Sequence, residues 1–189
     1  ITFEHPTESH HLIEEFMLLA NRTIAADMAK HTMVFRVHDR PDPYKVAAVE
    51  RFKKKMGARV LPSTIDMLMV RAMAKAVYST CNIGHYGLAF DHYTHFTSPI
   101  RRYPDMMVHR LVAKYILGER GFEQIAPVAS LNSVEDLEQA CVHCSDMEQY
   151  ATMAERDSVK LFQTLWMADH LGEERDGVIV EPTTVFDHM

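Results

Sequence analysis

The chain has 189 residues, and its 20 lysines and arginines against 26 aspartates and glutamates give a net charge of −6 with histidine neutral. Hydrophobic residues make up 47% and charged residues 24% of the chain, which excludes a disordered or collagen-like protein and predicts one globular domain or slightly more. Because the net charge is negative, a nucleic acid would have to bind at a local basic site.

Cysteine usage and hydropathy predict the compartment. The three cysteines include one C-x-x-C pair, Cys141 and Cys144, without a second pair. The odd count indicates a reducing cytoplasm rather than a disulfide framework. The longest apolar stretches, at 16–20 and 67–70, are far below the roughly 20 residues that a membrane-spanning helix needs.

The first third of the chain predicts two helices around a short strand. Apolar positions recur at helical spacing from residue 9 to about 30, with Ser9 as the N-cap. Residues 33–37 are β-prone, and a proline-rich turn at 40–44 ends this strand before a helix from about 45 to 56.

The middle of the chain predicts a helix, a strand and a further helix. The first would begin at a Ser63 or Thr64 cap and continue through about Tyr78. Residues 86–90 alternate large and small side chains, the pattern of a half-buried strand. The following helix would stop at Gly118.

The last third predicts one long helix, from Ser133 to about His170, whose length would be roughly 55 Å at 1.5 Å per residue. Gly172 would end it, and 176–180 reads as the first strand of a domain that the chain does not finish. The expected fold class is therefore α/β (α+β) and helix-rich, with helices packed on a small mixed sheet.

The strongest candidate site is an anion site at Arg101 and Arg102. Ser98 followed by Pro99 is a helix-start signal, which would place both arginines in a first turn. The helix dipole disfavours cations there, so the arrangement favours a bound anion such as a phosphate. Pro104 leaves two versions open: a kinked helix, or one that begins at Pro104.

Simpler interpretations of the two arginines also stay open. Arg102 could pair with Asp105 at i+3 on the surface, and Arg101 could pair with it at i+4.

Glu155 lies on a helix face with apolar neighbours, so a partner such as an arginine, a metal or a substrate hydroxyl is expected. Glu14 lies on a semi-apolar helix face, so a partner is expected for its carboxylate as well.

Other chemistries have weaker support. His92, His95 and Asp105 could form the metal site of a self-contained metallohydrolase, but their spacing is not typical of one. Cys141 and Cys144 fall on a helix stripe with apolar residues and predict buried packing. The sequence has no Gly-x-Ser-x-Gly elbow, which disfavours a serine hydrolase.

A series of motifs is spread along the chain: His85-Tyr-Gly-Leu, Tyr93, Phe96-Thr-Ser-Pro-Ile-Arg-Arg-Tyr, Asp105 and His109, supported by Leu12 to Arg22, Met73 to Thr80 and Met153 to Asp157. These motifs resemble the catalytic (RNB) domain of the RNase II superfamily, with the bacterial ribonuclease R family as the nearest branch. The resemblance covers nearly the whole chain. It implies that residues 1–171 are the C-terminal part of the RNB-type domain and that 172–189 lead into an OB-fold RNA-binding domain.

The resemblance implies a processive 3′-to-5′ exoribonuclease that uses magnesium to hydrolyse single-stranded RNA to nucleoside 5′-monophosphates. Its catalytic arginine, which holds the scissile phosphate, matches Arg101. The implied RNA-binding residues are Glu14, which helps select ribose, Glu155, which lines the cavity of the terminal nucleotides, and Arg102, Ser98, Tyr86 and Tyr93.

The sequence departs from this family in one essential feature. The aspartate cluster that binds magnesium in the family is missing, and Asp39 and Asp42 read as residues of a structural turn. We therefore expect no metal ligand in this chain, and we expect the isolated chain to be inactive. A noncatalytic RNA-binding or scaffold protein derived from the same domain is the alternative.

Overall fold

The computed structural model describes residues 7–57, 62–125 and 133–174. The chain divides into two compact units. The first unit contains residues 1–40 and 74–148, and the second contains 41–73 and 149–189. The elements in chain order are α1 (Glu8–Asp27), β1 (Phe35–Val37), α2 (Pro43–Met56), α3 (Pro62–Ala72), β2 (Val77–Ser79), a 3₁₀ turn (Tyr86–Leu88), α4 (Tyr103–Ile125) and α5 (Val134–Ala168).

Helix α1 confirms the first predicted helix, with its N-cap at Thr7 instead of Ser9. The Thr7 backbone N–H donates to Nδ1 of His10 at 3.1 Å, which satisfies one of the free donors at this end. Only the later part of α1 packs into the first unit. Met28, at the end of the predicted apolar stripe, is 4% exposed, whereas Phe16 of the same stripe is 59% exposed.

The core of the first unit lies where α1, the sheet, α4 and the beginning of α5 meet. Strands β1 and β2 pair antiparallel with Phe35 opposite Ser79, and an isolated parallel bridge joins His38 to His85. The helix-rich α+β class is thereby confirmed. The buried core comprises Ala25, Met28, Met33, Val34, Phe35, Val37, Tyr78, Met107, Val108, Leu137 and Cys141.

Two sequence predictions for the middle of the chain are wrong. Helix α3 ends at Ala72, and Tyr78 lies in β2, where its backbone N–H donates to Oγ of Ser145 at 2.9 Å. Helix-favouring local composition is overridden here by burial of the Tyr78 ring. The predicted strand at 86–90 is instead a 3₁₀ turn, because Nδ1 of His85 accepts from the Leu88 N–H and Ala89 adopts a left-handed backbone with φ 55°.

Helix α4 begins at Tyr103, next to Pro104, which confirms the version in which the helix begins at Pro104 and contradicts the version in which Ser98 and Pro99 start it. Both arginines precede the helix. Gly118 interrupts α4 as predicted, with a non-helical backbone at φ 68° and ψ 169°, although the helix resumes beyond it.

Helix α5 confirms the long predicted helix with 35 residues, and Ser133 Oγ accepts from the Asp136 N–H at its start. Its residues through Glu148 belong to the first unit and the later ones to the second. The predicted strand at 176–180 lies outside the described residues.

In the second unit α2 packs against α3. The α2 N-cap is Asp42, whose Oδ1 accepts from the Tyr44 N–H at 2.9 Å, which confirms a structural role for this aspartate. Within residues 7–57, 62–125 and 133–174, none of the helices combines the length and the apolar composition needed to cross a bilayer.

Candidate anion-binding site

The candidate site is a turn formed by residues 98–102, directly before α4. The Ser98 carbonyl oxygen accepts from the backbone N–H groups of Arg101 at 3.3 Å and Arg102 at 3.1 Å. Ile100 at the tip of the turn is fully exposed, and Arg101 is exposed beside it. Two backbone hydrogen bonds to one carbonyl therefore fix the backbone that carries both arginines.

A buried carboxylate joins this turn to α4. Asp105 is 0% exposed, and its Oδ1 accepts from the Ser98 N–H and from Nη2 of Arg102, both at 2.8 Å. Arg102 thus makes the expected i+3 pair, but the pair is buried at Asp105 rather than on the surface. Among the described residues, Arg102 Nε and Asp105 Oδ2 are buried without a hydrogen-bond partner.

The guanidinium of Arg101 is in the opposite situation. It is exposed, and within the described part of the chain it takes part in neither an ion pair nor a hydrogen bond. The alternative pairing of Arg101 with Asp105 at i+4 is not formed. The turn therefore presents one cation with free donors, while its neighbour is committed to a buried acid.

A second anchor holds the residues before the turn. Asn21 of α1, only 4% exposed, accepts at Oδ1 from the backbone N–H groups of Phe96 at 2.9 Å and Thr97 at 3.2 Å. Nε2 of His109 in α4 donates to the Phe96 carbonyl at 2.8 Å, and the two rings stack with centroids 3.9 Å apart. The segment leading to Arg101 is therefore held from two helices.

Aromatic and imidazole rings pack against Tyr93 and His95, which lie directly before this segment. Edge-to-face contacts with centroids 5.0 to 5.7 Å apart link, in order, His38, His85, Tyr93, His95 and Tyr78. Nδ1 of His95 accepts from the Tyr78 hydroxyl at 2.9 Å. Burial raises the pKa of Tyr78, which keeps its hydroxyl protonated and able to donate.

Two histidines of this series are held neutral. Burial, with the nearby charges of Arg102 and Arg36 second, lowers the pKa of His95 to about 3. Burial and then His38 lower the pKa of His85 to about 4. Neither of these two imidazoles carries a charge near pH 7, and Arg36 is a nearby cation that acts on both.

The RNB domain family model matches residues 1–118. The chain belongs to the RNB domain family. It is 38% identical to ribonuclease R of Thermotoga maritima over 91% of the chain, and 35% identical to ribonuclease R of Aquifex aeolicus over 90%. The chain spans about a quarter of these relatives, 27% of each.

Solved RNB structures share the fold. RNase R of Mycoplasma genitalium in complex with double-stranded RNA matches with a TM-score of 0.79 and 25% identity, over 95% of this chain and 36% of that one. The same protein with ribose-methylated single-stranded RNA gives a TM-score of 0.75 at 25% identity, over 91% of this chain and 30% of that one. Yeast Ssd1, a pseudonuclease, matches at 0.56 and 23% identity over 74% of this chain and 20% of that one, which shows the fold alone.

The RNB-like residues predicted from sequence do not all share one environment. Tyr86 is 49% exposed on the 3₁₀ turn, and Ser98 lies in the arginine-bearing turn. Tyr93 is only 6% exposed, and its hydroxyl accepts from Nδ2 of Asn21 at 3.3 Å, so it contacts the residue that anchors the segment. Direct contact of these three residues with RNA stays a prediction.

The two predicted carboxylates are both solvated. Glu14 side-chain exposure is 64%, and its described partner is His11 at 3.7 Å. Glu155 belongs to the second unit and is exposed. Val159 and Phe162 on the same face are 52% and 67% exposed, so this face is not buried by the described residues, and a partner for Glu155 stays a prediction.

The described residues do not fit a metal ion. In the part of the chain that the structure describes, no three His, Cys, Asp or Glu side chains converge as a metal site would require. His95 is hydrogen-bonded to Tyr78 and Asp105 is paired with Arg102, so the metallohydrolase hypothesis has no structural support there.

The prediction that Cys141 and Cys144 are buried packing residues is confirmed. Cys141 is fully buried and Cys144 is half-buried, and burial raises the pKa of both thiols, that of Cys141 to about 12. Their role is packing.

The sequence did not single out Asn21. A signal was present, because an asparagine precedes Ala25 and Met28 at the i+4 and i+7 positions of the face that is buried. A polar residue on such a face must find hydrogen-bond partners, and Asn21 finds them in the segment before the arginines.

Proposed function

We propose that this chain is part of a processive 3′-to-5′ exoribonuclease that hydrolyses single-stranded RNA to nucleoside 5′-monophosphates, and that Arg101 binds the scissile phosphate. The observation that carries the proposal is the free, exposed guanidinium of Arg101 on a backbone turn fixed from two sides. Relatives named ribonuclease R at 35% and 38% identity support the reaction type. RNA complexes of a structural neighbour support the ligand class.

The chemistry assigned to Arg101 follows from its charge and donors. A guanidinium offers paired N–H groups that match two phosphate oxygens, and it stays protonated at any working pH. Negative charge grows on these oxygens in the transition state of hydrolysis, so a preoriented cation acts more on rate than on ground-state binding. A fixed backbone matters here because it removes reorganisation from the reaction step.

The remaining family-derived roles belong to the same proposal. Glu14 would accept a hydrogen bond from a ribose 2′-hydroxyl, and its solvated carboxylate is available to do so. Glu155 would line the cavity of the terminal nucleotides, with Tyr86 and Ser98 as further contacts. Magnesium would be held by residues outside this chain. A downstream OB-fold domain is also part of this proposal. Without those ligands the isolated chain would be inactive.

The decisive experiment compares arginine variants of the full-length parent protein. We expect Arg101→Ala to lower the single-turnover rate of 3′-end shortening of a labelled oligoribonucleotide by about a hundredfold or more, with RNA affinity changed far less. Arg40→Ala is the matched control, since Arg40 is also exposed in the first unit. Equal losses of rate and affinity would make Arg101 a plain binding residue and refute its proposed role.

Two further outcomes separate the remaining alternatives. A parent protein that binds the oligoribonucleotide but does not shorten it with magnesium would be a noncatalytic RNA-binding protein, and the exoribonuclease proposal would be wrong. Robust shortening by the isolated 189-residue chain would contradict the proposal that the metal ligands lie elsewhere.

A further inference from the structure

The two adjacent arginines differ in what holds them. Arg102 Nη2 donates to the buried Asp105 carboxylate at 2.8 Å, whereas Arg101 is exposed on the residue before it. We infer that Asp105 is a positioning residue that orients the turn carrying Arg101, and that Arg102 is its counter-charge rather than a second phosphate ligand. This inference rests on the function proposed for Arg101.

The hydrogen bonds form a closed set around Arg101. Oδ1 of Asp105 accepts from the Ser98 N–H and from Arg102, and the Ser98 carbonyl accepts from the N–H groups of Arg101 and Arg102. Ser98 is therefore fixed at its donor by Asp105 and at its acceptor by the two arginines. Arg101 lies between residues 98 and 102, both of which the carboxylate holds, so the direction of its Cα–Cβ bond depends on Asp105.

Burial makes this tether strong. Asp105 is 0% exposed, so its charge-assisted hydrogen bonds are not in competition with bulk water. The anchor of Asn21 at Phe96 and Thr97 ends before Ser98, so it does not replace the contacts of Asp105. The orientation of residues 98–102 thus has one side-chain support from α4 among the described residues.

The single hydrogen bond between the Arg102 guanidinium and the Asp105 carboxylate suggests a suitable variant. Only one arm of the Arg102–Asp105 pair is formed, because Arg102 Nε and Asp105 Oδ2 have no hydrogen-bond partner among the residues that the structure describes. Asparagine at 105 has nearly the same shape and can keep an oxygen at the Oδ1 position that accepts from Ser98. Asp105→Asn therefore removes the charge of the tether without leaving a cavity.

A double-mutant cycle in the full-length parent protein tests the inference. We expect Asp105→Asn to lower the single-turnover rate of oligoribonucleotide shortening, per folded molecule, by about tenfold or more. The neutral amide weakens the two charge-assisted hydrogen bonds that orient the turn, so Arg101 is held less firmly, and a small misplacement of a catalytic group is costly. The same substitution in the Arg101→Ala background should change the rate by less than about twofold, since it acts through Arg101. RNA affinity should stay within about threefold.

Each outcome decides the matter. Equal rate losses from Asp105→Asn in both backgrounds, or no loss in either, would overturn the inference. Circular dichroism at the assay temperature shows whether Asp105→Asn is folded. If it is not, Asp105→Glu replaces it in the same cycle. Asp146→Asn, an exposed aspartate of the first unit, is the matched control. A normal rate for Arg101→Ala alone would refute the proposed function instead.

Discussion

Replacing Asn21 with alanine should destabilise the first unit strongly, because it removes one acceptor that serves two backbone donors. Asn21 is 4% exposed and accepts from the N–H groups of Phe96 and Thr97 at 2.9 and 3.2 Å. An unsatisfied buried donor costs about 1–3 kcal/mol. Because Phe96 and Thr97 are only half-buried, we expect the lower part of that range for each N–H, and a total loss of about 2–4 kcal/mol.

The measurement combines urea denaturation with amide hydrogen exchange of the isolated chain. The free energy of unfolding should fall for Asn21→Ala, and the amides of Phe96 and Thr97 should lose protection by the largest factor. Arg101→Ala is the control, and it should change stability by less than about 0.5 kcal/mol because its exposed side chain makes no hydrogen bond or ion pair with the described residues. A loss below about 0.5 kcal/mol for Asn21→Ala would refute the assigned anchor.

Three further predictions concern the surrounding rings and thiols. The pKa of His95 is lowered to about 3 in the folded chain, so the unfolded state binds the extra proton between about pH 6.5 and 3. The free energy of unfolding should therefore decrease on acidification through this range, by up to about 1.4 kcal/mol per pH unit, and His95→Gln should reduce that slope in urea titrations. Gly87→Ala should lower the melting temperature, with a loss of about 1–3 kcal/mol, because an added Cβ would lie 2.7 Å from Nδ1 of His38. The exposed Cys81 should react with a thiol reagent at least about a hundredfold faster than the buried Cys141, and Cys81→Ser should remove the fast phase.

Each of these three predictions has one result that would refute it. An unchanged acid slope in His95→Gln would mean that other groups take up the protons. A Gly87→Ala chain with an unchanged melting temperature would show that His38 can move aside. Fast modification of Cys141 in folded protein would contradict its burial in the core.

The sequence predicted the long periodic helices well and the short elements poorly. Helices α1, α2 and α5 repeat apolar or charged positions over several turns, so their pattern is redundant. The β-prone residues 33–37 did predict β1, but β2 has only three residues, too few for a period to be recognised. Tyr78 was assigned to a helix because the residues before it favour one locally, whereas its long-range bond to Ser145 decides its strand conformation.

The site was predicted in outline and not in arrangement. The i+3 spacing from Arg102 to Asp105 suggested their pair, but spacing carries no information on burial, and the pair is internal. Pro104 also marked the beginning of α4 better than Ser98 did. Asn21 lies 75 residues before Phe96 along the chain, and local patterns do not show such a contact.

The pairing of Arg102 explains how two neighbouring cations can occupy one tight turn. Asp105 neutralises Arg102 at 2.8 Å in a buried position, which removes most of the repulsion that a second charge would exert on Arg101. The net charge of the turn and its carboxylate is then the single positive charge of Arg101, and it lies on the exposed side. A polyanion approaching this acidic chain would meet that charge first at the turn, because the other arginine has already been paired during folding.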